Sequence, residues 1–135
     1  MFKRGPIPPF VHGVLDYLLA ALLIAAPFLI AWDSDAATAL SIAAGVAVLM
    51  LGAFTAWATG IVKSIPPVAH AMLDYAIAAL LIALPFLAGF SDDGTASAFF
   101  VVVGVAGIVL TIATRFTPGE SRAPRGPERH ARPAA

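Results

Sequence analysis

The sequence predicts an all-α polytopic membrane protein: four transmembrane helices arranged as two parallel helical-hairpin repeats. Three observations carry that expectation. Apolar residues make up 60% of the 135 and charged residues 12%, against roughly a quarter charged in a soluble domain, and mean hydropathy is +0.91. Four nearly uncharged stretches, at about 9–31, 36–58, 67–90 and 95–114, are each long enough, at ~1.5 Å per residue, to cross a ~30 Å hydrocarbon core. Finally, the chain repeats itself: of the 24 positions from Ile7 to Ile30, 16 are identical 58 residues later.

The first span opens at Pro8-Pro9, first-turn positions where the missing N–H costs nothing. Lys3-Arg4 ahead of an apolar run has the look of a signal peptide, but the run is longer than an h-region and its near-duplicate sits in mid-chain. Pro27, one to two turns before the expected outer end, predicts a kink. Asp33-Ser34-Asp35 is a tight turn to the second span, in which Gly45 and Gly52 lie seven apart on one face. Residues 59–64 link the repeats, so the two halves divide at 1–59 and 60–116. The third span restates the first, with Pro66-Pro67 at its start and Pro85 near its end. Ser91-Asp92-Asp93-Gly94 turns the chain into the fourth, where Gly104 and Thr111 match Gly45 and Gly52 at an offset of 59. Small residues at that spacing let helices approach closely, and Gly/Ala faces on the second and fourth helices point to association between copies or with another membrane protein. The Pro/Arg/Ala-rich segment 117–135, His130 included, has no apolar period and is expected to be a disordered cytoplasmic tail.

Orientation follows from the basic residues. All eight fall before the first span (Lys3, Arg4), in the middle link (Lys63) or from Arg115 onward, whereas the two turns carry Asp33, Asp35, Asp92 and Asp93. The positive-inside rule then puts both termini and the link in the cytoplasm, in a prokaryotic inner membrane. With two spans per repeat, both copies enter the bilayer in the same direction. His12–Asp16 and His70–Asp74 therefore share one depth, near the cytoplasmic face.

Those four residues are the chemistry the sequence offers. His and Asp four apart share a helix face, and an ionised Asp inside a span costs up to ~2.5–3.5 kcal/mol at the centre, less near an interface. Each Asp needs a partner or a proton, and the nearest available partner is its own His. Tyr17 and Tyr75 either donate to an Asp of the other repeat or belong to the interfacial aromatic belt. Four readings of the cluster stand open: a polar clamp between helices, a proton or ion path, a divalent metal on two imidazoles and two carboxylates, and a haem between His12 and His70.

Other classes are excluded. With no cysteine there is no disulfide, thiolate metal site or cysteine nucleophile. The serines have no His on their own face, no Gly-rich phosphate loop occurs, and basic residues do not interleave with aromatics as a nucleic-acid surface needs. The unit His-x-x-x-Asp-Tyr, an apolar helix ending in Ala-Pro-Phe or Leu-Pro-Phe, an acidic turn and a Gly-Val-Ala helix resembles the SPW-repeat integral membrane proteins of prokaryotes. The resemblance runs from Ile7 to Phe116. Of the Ser-Pro-Trp signature near the outer end of each first helix, only Pro27 and Pro85 stand here. What it implies is the two-hairpin architecture and no particular reaction. The favoured expectation is thus a non-enzymatic scaffold or accessory membrane subunit in the lipid bilayer. The alternative is a proton, ion, metal or haem site at His12, Asp16, His70 and Asp74.

Overall fold

The computed structural model of the protein describes residues 5–116. Lys3, Arg4, His130 and the expected tail lie outside the described residues. Four helices follow in order: α1 (Pro9–Leu29), α2 (Asp35–Phe54), α3 (Pro67–Leu87) and α4 (Gly94–Ala113). All four are long and apolar enough to span a bilayer. The surface is correspondingly apolar, with Leu18, Phe28, Leu29, Phe86 and Val102 all more than 60% exposed, as expected where lipid rather than water is the solvent.

The helices pack as two hairpins. α1 lies along α2 and α3 along α4, while backbone proximity between the hairpins is sparse and concentrated at α2 and α3. Glycine explains the tight pairs. A Cβ on Gly45 would lie 2.9 Å from the Ala20 carbonyl oxygen, and one on Gly104 would lie 2.7 Å from that of Ala78; only a glycine lets the backbones come so near. Gly52 is different, because a Cβ there would meet Asp16 at an ordinary 3.7 Å, and its counterpart Thr111 does carry a side chain. All three glycines are buried inside their own hairpins and so contribute nothing to an outer face for association between copies. Between the hairpins a shared core forms from Ala20, Leu23, Val48, Leu81, Phe100 and Val103.

Three spans are shorter than the sequence suggests. α2 stops at Phe54, not 58, because Thr55 turns extended and pairs in parallel with Ile65, with Ile65 N donating to Phe54 O at 2.8 Å and Ala56 N to Ile65 O at 2.8 Å. α3 stops at Leu87, not 90, and Gly89 follows in the left-handed region at φ +76°. α1 stops at Leu29, not 31. Pro27 and Pro85 therefore stand two residues from the helix ends and terminate the spans rather than kink them. α4 ends as α2 does: Thr114 pairs with Ile7, Ile7 N donating to Ala113 O and Arg115 N to Ile7 O, each at 3.0 Å. The end of the bundle holding Ile7, residues 55–66 and Phe116 is called the terminal end below, and the other the turn end.

Two polar devices complete the turn end. Pro27 has no N–H to give the Leu23 carbonyl, and the buried Ser41 hydroxyl donates to that oxygen instead, at 2.6 Å. In the second repeat Phe100 occupies the position of Ser41. The Asp93 carboxylate caps α4 by accepting from Ala96 N at 3.0 Å. Its other oxygen accepts from Asp33 N (2.9 Å) and Ser34 N (3.1 Å), which joins one hairpin turn to the other.

Two outcomes follow. Ser41→Ala should cost about 1 kcal/mol of stability in detergent unfolding, and most of that cost should vanish in a Pro27→Ala background, where the restored amide serves Leu23; an unchanged cost would show that the hydroxyl answers to something else. At Asp93, the Ala96 amide, helped by those of Asp33, Ser34 and Thr95, outweighs desolvation and holds the carboxyl below its usual pKa. Its contribution is thus complete above the ordinary carboxylate range and is lost as pH falls through the lowered value. Unfolding midpoints measured from pH ~5 down to ~2 should show a fall that Asp93→Asn lacks in part.

Candidate functional site

α1 and α3 each present their His and Asp to the other near the terminal end. His12, Asp16 and His70 are buried and Asp74 is nearly so, and one ligand atom from each lies within 4.8 Å of all the others. His12 Nε2 is 3.0 Å from Asp74 Oδ2 and 3.4 Å from Asp16 Oδ1. His70 Nε2 is 3.1 Å from Asp16 Oδ2 and 3.1 Å from Asp74 Oδ2. The expectation that each Asp relies on its own His is thereby corrected. The contact across the repeats is the shorter one for His12 and an equal one for His70. Helical spacing puts His and Asp on one face, but facing helices bring each Asp nearer to the opposite His, at 3.0 Å for Asp74 and 3.1 Å for Asp16, than to its own, at 3.1 and 3.4 Å.

The far sides of both imidazoles are held by threonines that the sequence reading passed over. His12 Nδ1 lies 2.8 Å from Thr114 Oγ1, and His70 Nδ1 lies 2.7 Å from Thr55 Oγ1. Each hydroxyl also donates to the carbonyl one turn back in its helix, Thr114 to Leu110 O at 2.8 Å and Thr55 to Leu51 O at 2.6 Å. A hydroxyl has one proton. With that proton on the carbonyl, the threonine oxygen accepts from the ring, and an imidazole held in this way carries a hydrogen on Nδ1. A neutral imidazole in this tautomer turns a bare Nε2 lone pair toward the carboxylates.

At the terminal end the cluster is covered by rings. The buried Trp57 packs against His70 with centroids 4.1 Å apart and against His12 at 5.5 Å. Phe116 meets His12 edge-on at 5.1 Å. Lys63 Nζ donates to the Trp57 carbonyl at 2.7 Å, which fixes the segment that carries the indole. Toward the bilayer interior the cluster adjoins a cavity of about 20 Å³, walled by Leu19, Ile77, Leu81 and Val103. That is room for about one water. A tetrapyrrole does not fit between imidazoles whose Nε2 atoms already lie about 3 Å from carboxylate oxygens.

The remaining residues singled out in the sequence fall around this centre. Tyr17 donates to the Thr59 backbone carbonyl at 2.9 Å, so it serves the inter-repeat link and not an Asp of the other repeat. Tyr75 is half-buried at the equivalent place on α3. Gly52 lies beside Asp16, whereas Gly45, Gly104, Pro27 and Pro85 belong to packing and helix ends away from it. A sequence signal for the threonines did exist: Thr55 and Thr114 are identical at the same offset of 59 that relates Gly45 to Gly104, and Trp57 and Phe116 are both aromatic at it.

With this geometry established, comparison with known proteins adds one finding. The family model of the SPW repeat domain matches residues 10–114, a stretch that contains all four cluster residues and, but for Pro9, all four helices. No curated protein and no solved structure matches the chain.

Proposed function

The chain belongs to the SPW repeat domain family, and from that premise we propose that it is a non-catalytic scaffold or accessory subunit of the cytoplasmic membrane, built as two repeats (1–59 and 60–116) that the His/Asp cluster clamps into one unit. The observation that carries this reading is the crossing of partners: His12 to Asp74 at 3.0 Å and His70 to Asp16 at 3.1 Å both run between repeats. Lipid tails are as apolar as leucine, so the bilayer supplies no hydrophobic force to drive one hairpin onto the other. Polar contacts worth ~0.6–2 kcal/mol each become the specific attraction between them. The packing of Trp57 and Phe116 against the two imidazoles supports the same role, since it holds the rings that make the joint. Lys63 and Arg115 stand at the terminal end, in keeping with termini on the cytoplasmic side. Association with a second copy or another membrane protein would then occur through the lipid-facing surface.

The clamp is tested by unfolding the chelator-treated full chain in detergent. Asp16→Ala/Asp74→Ala should lower stability by about 1–2 kcal/mol per lost cross-repeat contact, whereas Asp16→Asn/Asp74→Asn should retain most of it, because an amide N–H can donate to the bare Nε2. Alanine variants as stable as the parent would sink the clamp. The topology has its own check: a reporter fused after Ala135 should report the cytoplasm, and a periplasmic signal would overturn that orientation.

A further inference from the structure

We propose that His12, Asp16, His70 and Asp74 form a binding site for one divalent transition-metal cation of zinc-like coordination, seated on the pseudo-two-fold axis between the repeats. This goes beyond the clamp, which needs hydrogen bonds alone.

The first support is the direction of the lone pairs. With the threonine protons on their carbonyls, a neutral imidazole holds its hydrogen on Nδ1, against the threonine oxygen, and its Nε2 faces the carboxylates as acceptor facing acceptor. Something positive has to lie between them. A proton satisfies part of the cluster, since His12 Nε2 and Asp74 Oδ2 are aligned for a hydrogen bond at 3.0 Å. It does not satisfy the rest. His70 Nε2 and Asp16 Oδ2 are completely enclosed and only 3.1 Å apart, yet neither makes an aligned hydrogen bond. His70 Nε2 is also equally close to Asp74 Oδ2. One hydrogen shared between two oxygens serves each only weakly, whereas a cation at the centre of the set serves all four residues together.

The second support is size. Zinc bonds of ~2.0–2.1 Å to nitrogen and oxygen set the edge of a coordination tetrahedron at about 3.3–3.4 Å. Among His12 Nε2, Asp74 Oδ2, His70 Nε2 and Asp16 Oδ2, the separations of 3.0, 3.1 and 3.1 Å come within a few tenths of an ångström of three of its six edges, and a cation would draw the set, whose ligand atoms all lie within 4.8 Å of one another, into shape on binding. Charge agrees as well: two carboxylates neutralise one divalent cation, so the loaded centre carries no net charge into a low-dielectric bundle. Two imidazoles and two carboxylates suit zinc, iron or manganese over calcium and magnesium, which favour all-oxygen shells. The third support is the outer shell. Metal-bound histidines commonly donate their second N–H to a fixed acceptor that sets ring orientation. Here each Nδ1 lies against a threonine oxygen that is itself within hydrogen-bond distance of a backbone carbonyl, an acceptor placed to take that N–H, and the arrangement occurs twice.

The experiment uses the full chain in detergent, stripped with chelator and titrated with Zn²⁺, with bound metal measured by elemental analysis and affinity by competition with a chromophoric chelator. One zinc per chain is expected, together with a raised unfolding temperature. Asp16→Asn/Asp74→Asn, which removes both carboxylate charges, should lose stoichiometric zinc. Thr55→Val, nearly isosteric, should weaken binding by about 10–100-fold. Co²⁺ titrated into the parent protein gives a reading independent of any variant, because tetrahedral coordination produces intense visible bands. A parent chain that takes up no stoichiometric Zn²⁺ and gives no tetrahedral Co²⁺ spectrum overturns the site. So does binding that survives unchanged in the Asn variant. In either case, loss of stability in the alanine variants of chelator-treated protein would still uphold the clamp, so the two readings fail separately.

Discussion

A threonine hydroxyl has a single proton, and its placement at Thr55 and Thr114 decides how the centre of this molecule is arranged. With both protons on carbonyls at the ends of α2 and α4, each neutral imidazole keeps its hydrogen on Nδ1 and presents a bare Nε2 inward. Had either hydroxyl pointed at its histidine instead, the hydrogen would sit on Nε2 and the inner face would be a donor to carboxylate, an ordinary pair. The backbone pairings of Thr55 with Ile65 and Thr114 with Ile7 matter for this reason. They stop α2 and α4 where the threonine side chains meet the first turns of α3 and α1.

The bundle balances two kinds of contact. Within a hairpin, Gly45 and Gly104 bring helices to backbone distance, and dispersion over many atoms holds them. Between hairpins, the helix backbones stay apart, and the joint is made by side chains together with the short backbone pairings at the helix ends. An apolar core lies along the middle, the His/Asp cluster at the terminal end and the Asp93 carboxylate at the turn end. Polar joints at both ends with greasy packing between them fix the relative rotation of the two halves more firmly than apolar packing would alone, since hydrogen bonds are directional.

Much of this was legible in the sequence because the bilayer imposes strong rules on composition. The four spans, the duplication and the convergence of His12, Asp16, His70 and Asp74 follow from apolar length, identity at an offset of 58 and the cost of isolated charge in lipid. The threonines were harder to see. The second turn is one residue longer than the first, which moves the correspondence from 58 to 59 and separates Thr55 and Thr114 from the motif they serve. Moreover, a threonine at a helix end is ordinary until the neighbouring helix is in place. Ser41 was hidden for a related reason: its role is to complete a carbonyl on another helix that Pro27 leaves bare, and only the register of α1 against α2 reveals it. The glycines were read as a packing stripe, but Gly52 proves to be roomy where Gly45 and Gly104 are not.

The two threonine pairings have one more consequence. Thr55 meets Ile65 across the link, and Thr114 meets Ile7 in the same way, by way of space instead of sequence. Each helical hairpin therefore hands its last residue to the first residues of the other, and the path α1–α2–α3–α4 returns to α1 through hydrogen bonds. The fold is a closed circuit with two equivalent junctions, one covalent and one not. Topologically it has no first helix, and either hairpin can be regarded as the one that begins it.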